Sequence, residues 1–237
     1  MGSTTNDSFL RRLKELIFAS RRKFEERDLF RDGSRDEVFS WILKTNKWGC
    51  SDSVSGKGSD LIQSEKLRDG LPKLLQDLEV NSILDLPCGD MNWMKHVDLS
   101  PYQYTGADIV GELIETNRLA FPELQFAVLD VCDDALPGVD FMLSRDLLVH
   151  LCFADIDLAL ENIRGSSIRY LACTTFTEVQ HNKDKLTGNH HRLNMLKPPF
   201  SWGAPLYLIP DGAQGEPQRE GKSLGVWEVA NLPRLTL

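Results

Sequence analysis

The sequence predicts a single α/β unit: a seven-stranded, mostly parallel sheet with helices on both faces, a C-terminal antiparallel hairpin and an N-terminal helical extension. Three observations carry this. From residue 82 onward, short apolar runs alternate with stretches of helical period, and that alternation builds parallel strands under crossing helices. The last two apolar runs, PLYLIP and KSLGVWEVANL, are joined by the turn-rich DGAQGEPQREG and no helix, which makes them an antiparallel pair at a sheet edge. Finally, 237 residues with 41% apolar and 26% charged content suffice for a core without disulfides or a structural metal.

The elements follow in chain order. Phe9, Leu10, Leu13, Leu16, Ile17 and Phe24 recur at helical spacing in FLRRLKELIFASRRKFEERDLF, and a second short helix is expected over 35–45. The loop NKWGCSDSVSGKGSD is too rich in Gly and Ser for regular structure. Asp60 or Ser59 is placed to cap a helix over LIQSEKLRDGLPKLLQDLEV, interrupted at Gly70 and Pro72. SILDL, YTGADIV, LQFAVLD, VDFMLS and SIRYLACTTF then read as strands, with MNWMKHVDL, GELIETNRLAF and ADIDLALENIR as helices between them. A polar loop over 177–200 precedes the final pair. The division is into an extension and lid over 1–60 and the α/β unit over 61–237.

Charge and composition exclude several functions. A net charge of −8 and a pI near 5.2 oppose nucleic-acid binding, which needs a concentrated positive field. The charge is uneven: residues 1–48 hold 11 Lys/Arg against 8 Asp/Glu, the remainder 16 against 27. A docking arm and a plain amphipathic helix compete for the basic stretch. The plain helix is preferred because Glu15, Glu25, Glu26 and Asp28 break up the positive face. No apolar run approaches a membrane span of ~20 residues. The five cysteines, at 50, 88, 132, 152 and 173, are odd in number and never spaced CxxC, which implies reduced thiols and a cytoplasmic protein.

In an open parallel sheet, ligands bind beyond the carboxyl ends of the strands, where strand order reverses. Those ends are expected to deliver Asp85-Leu86-Pro87-Cys88-Gly89-Asp90, then Asp108, Asp130 and Ser144-Arg145-Asp146. One such Asp often only caps the next helix. Three in register, followed by a fourth, repel phosphate and suit a ligand bearing hydroxyls, amines and a positive centre.

The series SILDLPCGDMNWM, YTGADIV, LQFAVLDVCDDALP and VDFMLSRDLLVHL resembles the motifs of class I S-adenosylmethionine-dependent methyltransferases, over residues ~82–176. More narrowly, WGCSDSVSGKGS, LDLPCGDMNWM, HRLNMLKPPF and KSLGVWEVANLP resemble a little-described bacterial group of that superfamily. The resemblance implies a Rossmann-like sheet and S-adenosyl-L-methionine as cofactor. It implies that Asp85 faces the methionine end, with Leu86, Pro87, Cys88 and Gly89 supplying backbone to the amino acid. By the same resemblance Asp108 accepts both ribose hydroxyls, Ile109 packs on adenine, Asp130 takes the adenine amine and Val131 gives its N–H to the ring. The usual DxGxGxG loop is here DLPCGDM, which keeps only Gly89 and has Pro87 and Met91 at the other glycine positions; the narrower group carries this form.

A nicotinamide-dependent oxidoreductase is the rival for the first motif. Its pyrophosphate needs the glycines that Pro87 and Met91 replace, and Asp90 opposes a diphosphate at that turn. At the reacting end, Asp146 follows the fourth strand beside the expected sulfonium. A helix starting there puts His150 on the same face, so the two form a candidate base and orienter. Capping and packing are the competing explanations. Ser144 and Arg145 are assigned to the cofactor's methionine end, and Trp48 and Ser59 to a lid over it. His191, Arg192 and Asn194 are expected to face substrate from the 177–200 loop. No metal is assigned, because His181, His190, His191 and Asp184 lack ligand spacing. The expected activity is methyl transfer to a small molecule or saccharide, O-methylation ahead of N-methylation since SRDLLVH is not an NPPY-type signature. A cofactor-binding scaffold without turnover is the alternative. Oligomeric state stays open.

Overall fold

The computed structural model describes residues 23–212 and 220–235. Of the first expected helix, residues 9–22 lie outside the described residues, and 23–32 are helical. Helix α1 (Arg35–Thr45) follows, opened by a capping pair in which the Ser34 N–H donates to Glu37 Oε2 at 3.0 Å. Helix α2 (Glu65–Asp77) runs unbroken through Gly70 and Pro72, against the expected interruption. Its Leu67, Leu71, Leu74 and Leu75 are buried on the sheet at about 1.5–3 kcal/mol each, which outweighs the ~3 kcal/mol an internal proline costs. Gly70 allows the close approach: a Cβ there would lie 3.3 Å from Ile209. Asp60 acts one turn early, accepting the Gln63 N–H at 2.7 Å.

The sheet holds β1 (Ser82–Asp85), β2 (Gln103–Asp108), β3 (Gln125–Val128), β4 (Phe141–Ser144), β5 (Tyr170–Phe176), β6 (Tyr207–Pro210) and β7 (Lys222–Glu228). Their order is β3-β2-β1-β4-β5-β7-β6. The first five are parallel, while β7 runs antiparallel between β5 and β6. Helices α3 (Gly111–Ala120) and α4 (Phe153–Gly165) match two of the three expected crossings. The third, over 91–99, forms only a 3-10 turn at Met94–His96. Met91 sits at φ +58°, outside the helical region, and Met91, Trp93, Met94, Val97 and Leu99 are all buried, a pattern no single helix face can satisfy.

Alternate strand residues feed two cores. Leu84, Met142 and Leu171 pack with Ile156, Leu160 and Ile163 of α4 on one face. Ile83, Phe141, Leu143 and Tyr170 pack with α2 on the other. A smaller cluster of Phe30, Val38 and Ile42, flanked by Trp41 and Trp48, joins α1 to the helical stretch before it. Among the described residues no helix is long and apolar enough to cross a membrane.

Four charges, Arg145, Asp211 and Lys222 buried and Asp146 half-buried, tie the antiparallel pair to the parallel sheet. Arg145, after β4, donates from Nε and Nη2 to Asp211, after β6, at 3.0 and 2.8 Å. Lys222, opening β7, donates to Asp211 at 2.9 Å and to Asp146 at 2.7 Å. The Asp211 side chain is 0% exposed. Removing one member strands its partners in a low dielectric. Asp211→Ala is therefore expected to lower unfolding stability by about 3–5 kcal/mol in urea titrations. Lys73→Ala, which breaks the exposed Lys73–Asp77 pair at 2.7 Å, should change it by about 0.5 kcal/mol or less.

Candidate active site

A cleft of about 1070 Å3, measured out to open solvent, lies over the carboxyl ends of β1, β2 and β4, where strand order reverses. Every residue expected to meet the cofactor lines it except Ser144, whose hydroxyl is enclosed without a partner.

The floor is built by β1 and β2. Pairing in register sets Asp85 level with Gly106, and β2 runs on to Asp108. Asp85 is buried and accepts the Tyr104 hydroxyl at 2.8 Å. Burial pushes its carboxyl up to about 7, against the pull of Tyr104 and Arg145. Burial likewise pushes Asp108 up to about 6, opposed by backbone N–H groups of Val110, Gly89 and Ile109. Between them the turn Pro87–Met91 doubles back, with the Cys88 N–H on Ala107 O at 2.7 Å and Gly89 at φ +57°. Gly89 presents its N–H to Asp108 Oδ2 at 3.3 Å. A Cβ on Gly89 would stand 2.3 Å from Ser55 Oγ, so this one surviving glycine is required by space as well as by dihedral angle.

Asp90 has a use the sequence did not disclose. Its carboxylate accepts the Ser53 hydroxyl at 3.0 Å, the Val54 N–H at 2.9 Å and the Ser55 hydroxyl at 3.2 Å. It thereby straps residues 53–55 across the cleft mouth, where Val54, Ser55, Ser59 and Trp48 join the lining. Trp93 is buried, yet also borders the cleft beneath the Arg145 guanidinium, 5.3 Å from its ring centroid.

Asp130 borders the opposite end, but not as a free carboxylate. Its Oδ1 accepts the Cys132 N–H at 2.9 Å and its Oδ2 pairs with Arg35 at 2.7 Å. Arg35, Phe39 and Leu43 of α1 all line the cleft, and the sequence reading missed them. Their spacing of four was the available signal.

At the reacting end the structure revises several expectations. Arg145 is neither a surface residue nor a free anion clamp; besides Asp211 it donates to Gly58 O at 2.7 Å. Asp146 sits at φ +59° and the chain makes a 3-10 turn, Leu148–His150, before α4 begins at Phe153, so the expected helix does not form there. Both Asp146 and His150 reach the cleft. The Asp146 oxygens are spent on the Thr174 hydroxyl at 3.0 Å and Lys222 at 2.7 Å, leaving the imidazole without that orienter. Burial resists the ionisation of Asp146, but Lys222 and Arg145 outweigh it and hold the carboxyl well below its ordinary range. His150 stacks 4.9 Å from Trp48 and 5.4 Å from His190, and its Nδ1 is enclosed without a partner. Burial, then His190, pushes it down to about 3, so it is neutral at any working pH.

The 177–200 loop is stitched to the turn that carries His150. Gly188 N–H bonds His150 O at 2.8 Å and His191 N–H bonds Val149 O at 2.9 Å. The His191 ring nitrogens face Lys183 O and Leu151 O at 2.9 and 2.8 Å. Asn194 Nδ2 donates to Thr177 O and Val179 O at 3.1 and 2.9 Å. Arg192 donates to Glu220 O at 2.8 Å and lies over Phe176. These three shape the loop and do not line the cleft; the side chain they set beside His150 is His190. Among the described residues no group of three or more His, Cys, Asp or Glu is placed to hold a metal ion.

No protein-family model matches the chain, and no curated protein is similar to it in sequence. Solved structures do match. The methyltransferase domain of bacterial CtHen1, in its C form, is 14% identical and covers 70% of this chain and 98% of its own, with a TM-score of 0.52. Its CN form is 13% identical over 70% and 99%, with a TM-score of 0.51. PH0226 from Pyrococcus horikoshii OT3 is 18% identical over 47% of this chain, which spans only 55% of that one, at a TM-score of 0.40. At these identities the likeness is one of architecture: the chain has the class I methyltransferase fold.

Proposed function

We propose that this cleft binds S-adenosyl-L-methionine and that the protein transfers its methyl group to a hydroxyl of a small molecule or saccharide. One observation carries the cofactor assignment: a buried, cation-free Asp108 beside a Gly89 turn that admits no side chain, at the switch point of a class I sheet. The donor set fits. Asp108 is an acceptor pair for the ribose diol, Asp85 faces the positive amino-acid end, and Ile109, Leu113 and Leu129 give apolar walls for the base. The bound cofactor supplies an electrophilic methyl on a sulfonium.

The chain's own residues position and deprotonate. An acceptor hydroxyl held at the reacting end would attack the methyl carbon in line as the carbon–sulfur bond broke, the electron pair remaining on sulfur. The proton would pass to the unpartnered Nδ1 of His150, where the ionised Asp146 offsets part of the burial that disfavours an imidazolium. Trp48 and the strap over residues 53–55 exclude water from that end. The occupation of Asp146 by Lys222 favours a second reading, in which a neutral amine attacks and no base is needed.

Three outcomes are expected. Asp108→Ala should weaken S-adenosylmethionine binding by roughly 2–3 kcal/mol in isothermal titration, with full affinity in a folded variant ruling the assignment out. His150→Ala should spare cofactor affinity and cut turnover about 10²–10⁴-fold on any accepted hydroxyl substrate; native-like turnover would move the reading to amine methylation. The third concerns pH. Asp85 and Asp108 titrate near 7 and 6 in the free protein, above their unfolded values, so their contribution to stability is complete below about pH 4 and fades as pH rises through 6–7. A cationic ligand that donates hydrogen bonds favours both ionised forms. Binding should therefore release protons and tighten from pH 5.5 to about 7.5, read from titrations in buffers of different ionisation enthalpy.

A further inference from the structure

The N-terminal extension reaches the cleft through one stripe. Arg35, Phe39 and Leu43 stand four apart on α1, hence on one helix face, and all three line the cleft. The adjoining stripe, Val38 and Ile42, is buried with Phe30 in a small core against which Phe39 also packs. Helix α1 therefore has two prepared faces, one closed by its own extension and one turned to the ligand.

What seats the second face is Arg35. Its side chain is 18% exposed and its three nitrogens reach three carboxylates: Nε to Asp130 at 2.7 Å, Nη1 to Asp155 at 2.9 Å and Nη2 to Asp133. The guanidinium fork suits such branching, and a lysine ammonium could not reproduce it. Asp155 also accepts the Thr187 hydroxyl, which in turn receives the Cys152 N–H at 2.9 Å. Gly188, at φ +93°, lies against the same extension, since a Cβ there would meet Val38 at 2.6 Å and Phe30 at 2.8 Å. Asp130 itself is held from both sides, by Cys132 N–H and by Arg35, with its carboxylate edge left on the cleft wall.

We propose that Arg35 is a positioning residue for the base of the cofactor: it locks α1 onto Asp130, Asp133 and Asp155, so that Phe39 and Leu43 close over the base while Asp130 stays aimed at its exocyclic amine. The inference rests on the cofactor reading above and adds a chain segment and a discriminating residue to it. Without Arg35, Asp130 keeps the Cys132 N–H on one oxygen only, and α1 loses all three of these ion pairs.

The test titrates native protein, Arg35→Ala and Arg35→Lys with S-adenosylhomocysteine, methylthioadenosine and methylthioinosine. Arg35→Ala is expected to weaken S-adenosylhomocysteine about 10- to 100-fold, the loss of one or two charge-assisted contacts. It should also shrink the preference for methylthioadenosine over methylthioinosine, which a merely structural defect would leave in place. Arg35→Lys should recover part of both. Added salt should weaken the native protein more than Arg35→Ala. An unchanged affinity and an unchanged base preference in folded Arg35→Ala overturn the inference alone. Failure of native protein to bind either adenosine ligand overturns the cofactor reading and this inference with it. If Arg35→Ala does not fold, Phe39→Ala, which keeps the ion cluster, carries the test: native affinity in that variant overturns the closure over the base.

Discussion

The four-charge cluster of Arg145, Asp146, Asp211 and Lys222 decides where almost everything else in the cleft stands. Two of its members, Asp211 and Lys222, stand beside the others only because β7 inserts between β5 and β6. In a buried setting each ion is destabilised by desolvation and tolerable only with its partners present. The cluster thus makes the position of the reacting end conditional on complete assembly of the sheet edge. It also has no net charge, so its members mostly neutralise one another, although Arg145 still draws the Asp85 carboxyl downward.

The cleft is consequently polar in an uneven way. The acids at the two ends of the cleft, Asp146 and Asp130, each have a cation of the protein's own. The acids on the floor, Asp85 and Asp108, have only hydrogen-bond donors directly on them and are pushed upward by burial. An uncompensated pair of buried carboxylates is a poor arrangement for an empty protein and a good one for a ligand that brings its own positive charge.

Much of this was legible from residues alone because strand-end position follows from local pattern. SILDL, YTGAD and VDFMLS announce strands by composition, and the residue after each strand must then sit at the sheet's carboxyl edge. Asp85, Asp108, Asp130 and Asp146 were found that way. What periodicity cannot show is pairing. Asp211 looks like a turn residue and Lys222 like an ordinary strand opener until Pro210 meets Ser223 across an antiparallel ladder. The same limit misplaced His191 and Asn194, whose residue types suit substrate but whose polar atoms are spent on loop backbone. Pro72 misled for another reason: propensity is local, and the buried leucines around it are not.

The contact between Gly89 and Ser55 has a mechanical consequence. Because Ser55 packs on the turn that also addresses Asp108, and Asp90 ties residues 53–55 to that turn, one jaw of the cleft moves only as part of the sheet. The other jaw, α1, is held to the sheet's edge by side chains. The two jaws therefore differ in chemistry: hydrogen bonds to one carboxylate, Asp90, hold the first, and ion pairs from one guanidinium, Arg35, hold the second, so ionic screening loosens the second more than the first.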